Sequence, residues 1–391
     1  MNTKETDNKY VAHTYGRFNV CLKEGKGSTL YDEEGKKYID FGSGIGVTAF
    51  GICDEEWKEA VKKQLDELQH TSNLYYTEPC AKLAELLCEK TGMKKVFFGN
   101  SGAEANEGAI KFARKYSYDK YGDGKSTIIT LKDSFHGRTI TTLAATGQDE
   151  FHTMFGPFTP GFKYCTPNDC AELNKLVTDD VCAIMFECIQ GEGGVNDLTQ
   201  EFVDEIAKTA KEKDILMVVD EVQTGNGRTG KYFAYENFGI TPDIVSTAKG
   251  LAGGLPMGAV LFGEKVADHV TAGSHGSTFG GNPIAAAGAI SIVERIDDDF
   301  LAGVKAKSEY LRNEISKIKN VTDISGKGLM IGISTNKDAG KIANECLEKG
   351  LLVLTAHKNK VRLLPALNIS FGEMNEGLNI LKEVIENETL A

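Results

Sequence analysis

From Lys94 onward the chain alternates short apolar runs with amphipathic helices, and this alternation constrains the fold more than any other feature. KKVFF reads as a buried strand and AEANEGAIKFARKYSY as a helix with one apolar face. STIITL, TTLAAT, VCAIMF, ILMVVD, DIVSTA and GAVLF read as further strands, with the helix TQEFVDEIAKTAKEKD between VCAIMF and ILMVVD. Strands in alternation with helices predict a parallel sheet covered on both faces. The first forty residues read as short strands, with TLYDEEGKKYIDF alternating around an E-E-G-K turn as a hairpin does. After Asn282 come a small-residue helix, PIAAAGAISIVERI, and then KSEYLRNEISKI. ISGKGLMIGIS and VRLLPALNIS return to shorter elements. The expectation is an α/β chain with a large central domain over 49–284. Residues 1–48 and 285–391 would join into a smaller α+β domain.

Composition narrows the function. Apolar residues make up 41% and charged residues 26%, ordinary for a globular chain, which excludes disordered and collagen-like classes. The formal charge is −12 with no Lys/Arg block. Phosphate neutralisation dominates nucleic-acid affinity, so no nucleic-acid partner is expected. No stretch reaches the roughly 18 apolar residues of a membrane span. MNTKETDNKY is polar and lacks a signal-peptide core, so a cytoplasmic protein without a membrane partner is expected. The nine cysteines are odd in number and include no Cys-x-x-Cys. Several lie in apolar runs, such as Cys182 in VCAIMF, and read as buried free thiols. No metal site is expected.

Two glycine motifs mislead. GNGRTG (225–230) matches a dinucleotide-binding pattern, but DEVQ separates it from its strand and Asp243 begins the next strand instead of ending it. It reads as a structural loop. GDGKST (122–127) has Asp119 where a P-loop needs Gly, and reads as a turn.

Four other segments carry chemistry. In FFGNSGAEANEGAIKFA (97–113) a strand ends at a tight turn and a helix opens at Ser101. Ser101 and Glu104 form a capping-box pattern, which alone explains both residues. The Gly102-Ala103 helix start would equally bind a phosphate through free N–H groups and the helix dipole. DSFHGRT (133–139) places an aromatic, a His and an Arg in a loop; His136 reads as a hydrogen-bonded structural residue, and Phe135 as core or as a platform for a flat ring. Asp220 ends the strand ILMVVD at the rim where α/β ligands bind, or else caps a loop. Lys249 leaves the strand DIVSTA beside Gly250. Burial disfavours its charge, and the chemistry that wants such a lysine is Schiff-base formation. A phosphate cradle, an aromatic platform, an acid for a pyridine nitrogen and a reactive lysine are together the needs of pyridoxal 5'-phosphate.

These motifs resemble the class III (subgroup II) aminotransferases of pyridoxal-phosphate fold type I. The likeness runs from about Tyr31 to Pro365, through HTSNLYY (70–76), FFGNSGAEANE (97–107), FHGRT (135–139) and IQGEGG (189–194). It continues through DEVQTGNGRTG (220–230), AKGLAGGLPMGA (248–259), GSHGSTFGGNP (273–283), GKGLMIGI (326–333) and GLLVLTA (350–356). HTSNLYY and GSHGSTFGGNP point to the acetylornithine branch.

The resemblance implies a mostly parallel seven-stranded sheet with helices on both faces, in a homodimer with shared active sites. It implies that Lys249 is the cofactor lysine and that Ser101, Gly102 and Ala103 hold the phosphate. Phe135 and Val222 would sandwich the ring, Asp220 would hold the pyridinium proton, and Gln223 would face the ring hydroxyl. Thr278 would reach the phosphate of the neighbouring subunit. Arg138 and Ser277 resemble acylornithine contacts, and Glu192, in a flexible loop, would gate Arg362.

The chain departs from the family at GICDEEW (51–57), where His-x-His-Pro is frequent. It departs again at Cys188, where Pro usually stands, and at AHKNK (356–360), before Arg362. The implied reaction is amino transfer from N-acetylornithine to 2-oxoglutarate, giving N-acetylglutamate 5-semialdehyde and glutamate, as in arginine biosynthesis. Ornithine, succinylornithine, 4-aminobutyrate and N-succinyl-diaminopimelate are alternative donors. An aminomutase or a non-catalytic scaffold would be other classes.

Overall fold

Seven strands form the central sheet: β1 (Lys95–Gly99), β2 (Thr127–Leu131), β3 (Phe162–Cys165), β4 (Val181–Phe186), β5 (Leu216–Asp220), β6 (Ile244–Thr247) and β7 (Gly258–Phe262). The computed structural model describes residues 1–357 and 359–387. The strand order is β1-β7-β6-β5-β4-β2-β3. Only β7 runs antiparallel to its neighbours; the other pairings are parallel. Every residue of β2, β4, β5, β6 and β7 is buried, which is why they read as unbroken apolar runs. Alternate residues feed two cores. Met185, Val218 and Val260 meet Ala105, Ala109 and Phe112 of the helix Gly102–Tyr121. Phe186, Val219 and Leu261 join the core that includes Phe202, Val203 and Ile206 of the helix Gln200–Glu212.

The two ends of the chain share a sheet. Leu22–Lys26, Thr29–Asp32 and Lys37–Asp40 form an antiparallel meander, and Leu351–Leu352 adds to it in parallel beside Ile39 and Asp40. A further antiparallel sheet joins Val321–Ser325, Ile331–Thr335, Lys360–Leu363 and Leu354–Ala356, and Arg362 belongs to it. Lys358, in the AHKNK departure, lies outside the described residues. All nine cysteines are free, and Cys182 is buried as expected.

Three sequence expectations are corrected. TTLAAT is helical, since a helix spans Ile140–Ala145. The Thr139 N–H donates to Thr142 Oγ1 at 3.1 Å and the two hydroxyls bond at 2.6 Å, local bonds that outweigh the β-branched composition. The first forty residues are not all strand: Thr3–Tyr10 is a helix, capped by Asn2 and Glu5 reciprocally. FKYC, half-buried at the sheet edge, is the strand β3 that the pattern did not mark.

The last helix, Phe371–Glu386, docks through Gly377, where an added Cβ would overlap the ring of fully buried Phe41. Gly377→Ala should therefore overpack this contact and lower stability by about 1–3 kcal/mol. A urea titration would show this as a lower midpoint, and an unchanged midpoint would mean that the helix can retreat from Phe41 without loss.

Candidate active site

The parallel strands deliver their carboxyl ends to one place. β5 ends in Asp220, β4 runs into Glu187, and β6 leads through Ala248 to Lys249. Asp220 is in register with Ser246, and Val219 with Phe186, so the three side chains leave adjacent strands at one edge. A cavity of about 250 Å³ lies there. Gly102, Ala103, Phe135 and Val222 line it, as do Arg138, Asp220, Gln223 and Lys249. The sequence had singled out all eight. Asn106 and Glu187 also line it, and neither was singled out; His136 does too, although it read as structural.

Asp220 is 3% exposed, and a buried carboxylate needs donors. Its Oδ2 accepts from Asn106 Nδ2 at 2.7 Å and His136 Nδ1 at 2.8 Å, and its Oδ1 accepts the Val222 N–H at 2.9 Å. A carboxylate only accepts, so His136 carries its proton on Nδ1. That leaves His136 Nε2 buried with no partner among the described residues. Asn106 also donates to the His136 carbonyl and accepts from Ser246 on β6, which locks the helix to the strand ends.

Lys249 sits with φ at +43°, a region that side chains other than glycine seldom occupy and that functional sites often do. Burial pulls its ammonium below the usual lysine range; Glu192 and Asp220 oppose that pull and Arg362 adds to it.

Ser101 caps the helix Gly102–Tyr121 by accepting the Glu104 N–H at 3.2 Å. The expected box is displaced by one residue, because the Glu104 carboxylate takes the Asn100 N–H and not that of Ser101. The N–H groups of Gly102 and Ala103, at the helix start, have no carbonyl within the helix to bond. A Cβ on Gly102 would come within 2.6 Å of Val222 Cγ1, so only glycine allows this approach.

Arg362 reaches the same region from the C-terminal sheet and is 2% exposed. Its Nη1 donates to Gly191 O at 2.9 Å, Glu192 Oε1 at 3.0 Å and Gln223 Oε1 at 2.9 Å. Arg362 is buried and Glu192 half-buried, so this is not an ordinary surface pair. Burial works to raise the Glu192 carboxyl, but Arg362 outweighs it and leaves Glu192 below the usual range. The QGEGG loop is not the slack segment expected from its glycines. Its backbone is mostly buried, a Cβ on Gly191 would collide with Gln223, and His357 donates its N–H to Glu192 O at 3.0 Å.

Like Ser101, Glu192 and Arg362, the remaining expected residues, Ser277 and Thr278, are not among those that line the cavity. Ser277 Oγ accepts from Asn100 Nδ2 at 3.1 Å, beside Ser101. Thr278 is exposed on the same loop. Asn73 of HTSNLYY donates to Ser277 O and Gly280 O, so the two branch-specific motifs pack on each other. Glu187 carried a usable signal, an acid directly after a buried strand, the same signal that marked Asp220. Asn106 lies within a helical pattern that does not distinguish it.

The family model for class III aminotransferases matches residues 10–385. The acetylornithine aminotransferase of Haemophilus ducreyi is 50% identical over 385 residues, covering 98% of both chains. That of Methanocaldococcus jannaschii is 44% identical over 388 residues, also 98% of each. Among solved structures, the ornithine aminotransferase of Toxoplasma gondii superposes with a TM-score of 0.93 at 29% identity, covering 98% of this chain and 95% of that one. The N-acetylornithine aminotransferase of Stenotrophomonas maltophilia gives 0.85 at 35%, covering 97% and 98%.

Glu221, next to Asp220, is fully buried and its carboxyl is pushed up from 4.5 to about 7, first by burial. The Thr224 hydroxyl and the Tyr235 N–H, both donating to it, oppose that shift. Below the unfolded value both states hold the proton. Between the two values only the folded state keeps it, so stability falls as pH rises from about 4.5 to 7, by roughly 3 kcal/mol. Glu221→Gln should flatten this part of a stability-against-pH curve; an unchanged slope would assign it to another group.

Proposed function

This chain belongs to the class III aminotransferases, and from that premise we propose that it transfers the δ-amino group of N-acetylornithine to 2-oxoglutarate. The products are N-acetylglutamate 5-semialdehyde and glutamate, a step of arginine biosynthesis in the cytoplasm. The observation that carries the reading is the gathering of Lys249, Asp220 and Gln223 around one cavity, with Gln223 also bonded to the Arg362–Glu192 pair beside it. The similar proteins named acetylornithine aminotransferase supply the donor.

The residues present fit pyridoxal 5'-phosphate. The open helix start at Gly102 and Ala103, which lines the cavity, suits a phosphate, and Asp220 offers a donor-supported carboxylate to a ring nitrogen. When bound, the cofactor supplies an electron-accepting ring. Lys249, whose charge burial disfavours, is the amine that anchors it and afterwards moves the proton at its Nζ as base and acid. Asp220 keeps its orientation because three donors hold it, and it keeps the ring nitrogen protonated. His136 and Asn106 act through Asp220. Ser101 would order the phosphate turn, Phe135 and Val222 would hold the ring, and Gln223, which also accepts from Arg362, would take the ring hydroxyl. Thr278, which does not line the cavity of its own chain, serves the site of a second copy in a homodimer.

Two substrates pose a charge problem. Glutamate carries a carboxylate beside its reacting amine, whereas acetylornithine presents an uncharged chain there. Arg362 suits the first and would be left unpaired against the second. Glu192 neutralises it in one half-reaction and releases it in the other, while Arg138 and Ser277 hold the far end of the substrate.

With 2-oxoglutarate as acceptor, N-acetylornithine should give the highest kcat/KM in a panel that includes ornithine, succinylornithine and 4-aminobutyrate. A higher value for ornithine would reassign the donor. Amino transfer without external oxo acid would indicate a mutase. In single turnovers, Glu192→Gln should slow the acetylornithine half-reaction more than the glutamate one, and Arg362→Ala should do the reverse. A lost buried charge pairing predicts an effect on the order of 10²-fold or more. Equal losses in both variants would remove the gate and leave Lys249 and Asp220 in place.

A further inference from the structure

Glu187 lines the cavity and is 4% exposed, yet the reaction outlined above gives it no task. Its two oxygens are both engaged by backbone. Oε2 accepts the Phe135 N–H at 3.1 Å, and Oε1 accepts the Gly191 N–H at 3.4 Å. These donors belong to two different parts of the site. Phe135 lines the cavity. Gly191 immediately precedes Glu192, and its carbonyl is one of the three acceptors on Arg362 Nη1. We propose that Glu187 is a positioning residue whose one carboxyl ties the aromatic face of the site to the Glu192 loop, so that the platform and the gate share a single brace. The inference rests on the gate reading of Glu192 and Arg362.

The chemistry of the pair at the strand ends supports a brace without charge. Glu187 and Asp220 follow adjacent strands in register, and two neighbouring buried carboxylates cannot both ionise cheaply. Asp220 has three donors, two of them side chains, whereas Glu187 has only two backbone N–H groups. Burial and the Asp220 carboxylate push the Glu187 carboxyl well above the usual range, against those N–H groups and Lys249. A neutral carboxyl can still accept at both oxygens, and it adds no charge to compete with Glu192 for Arg362. Glutamine, of the same shape, has one accepting oxygen and turns its NH₂ towards the second N–H.

The test uses the cofactor-loaded enzyme, with Glu187→Gln and Glu192→Gln side by side. Glu187→Gln should slow the acetylornithine half-reaction by roughly tenfold, the worth of one hydrogen bond, and the glutamate half-reaction distinctly less. The absorbance titration of the cofactor bound at Lys249 should keep its midpoint, because no charge is removed. Glu187→Asp, one methylene too short to reach both N–H groups, should give the same unequal loss and serves if the Gln variant does not fold. Equal losses for the Glu187 variants, with an unequal loss for Glu192→Gln, would overturn the brace alone. A midpoint lowered by about one unit would overturn the neutral state and make Glu187 an electrostatic partner of Lys249. Equal losses for Glu192→Gln would overturn the gate, and this inference with it.

Discussion

The cost of burying charge where three parallel strands end organises this structure. Glu187, Asp220 and Lys249 leave adjacent strands into one space, and Arg362 and Glu192 adjoin it through Gln223. None of these groups can be left there unsupported. The supports account for much of the surrounding sequence: Asn106 and His136 for Asp220, the Phe135 and Gly191 N–H groups for Glu187, and Gln223 between Glu192 and Arg362. Glycines occur where backbone must approach these groups closely, as at 102 and 191.

Arg362 belongs to a different sheet from the lysine it approaches, so its position depends on how the two sheets are joined. The GNGRTG loop makes that joint. Arg228 is buried, and its guanidinium is pulled down to about 9 by burial alone. It donates to Leu329 O and Pro365 O, which flank the strands Ile331–Thr335 and Lys360–Leu363, and its own carbonyl accepts the Leu329 N–H at 2.9 Å. The segment that resembles a dinucleotide motif thus fixes the sheet carrying Arg362 against the loop that follows Asp220. Carbonyls can stabilise a buried guanidinium without cancelling its charge, which suits a joint that should not add a further carboxylate near the site.

What was legible in the sequence follows from the same physics. Strands covered on both faces had to be apolar throughout, so VCAIMF, ILMVVD and DIVSTA declared themselves, and Asp220 and Lys249 stood out as polar residues at their ends. Glu187 obeyed the same rule but preceded a motif, IQGEGG, that drew attention to its glycines. Asn106 could not be read, because its partners on Asp220 and Ser246 are distant in sequence. TTLAAT was misread because Thr favours strands by composition yet starts helices by its hydroxyl. The QGEGG loop looked slack because glycine permits flexibility, whereas here it permits contact. In the first case local hydroxyl bonds decided between two readings, and in the second tertiary neighbours did.

The last question is how an acidic chain collects anionic substrates. The charge of −12 acts at long range, but salt screens exposed charges beyond about 8–10 Å, so the field near the mouth decides. Of the three cations at the site, Lys249 has its charge disfavoured by burial and Arg362 is already paired with Glu192. Arg138 is exposed and lines the cavity, and among the described residues no carboxylate lies within ion-pair distance of it. Its guanidinium lies 4.1 Å from the Phe151 ring centroid and 5.5 Å from that of Phe135, contacts that hold a cation in place without neutralising it. The order of encounter follows. On the proposed gate, Arg138 would meet an incoming carboxylate first, and Arg362 would become available only when Glu192 moves away. On that proposal attraction and discrimination fall to different arginines, and the one that attracts is the one with no carboxylate partner among the described residues.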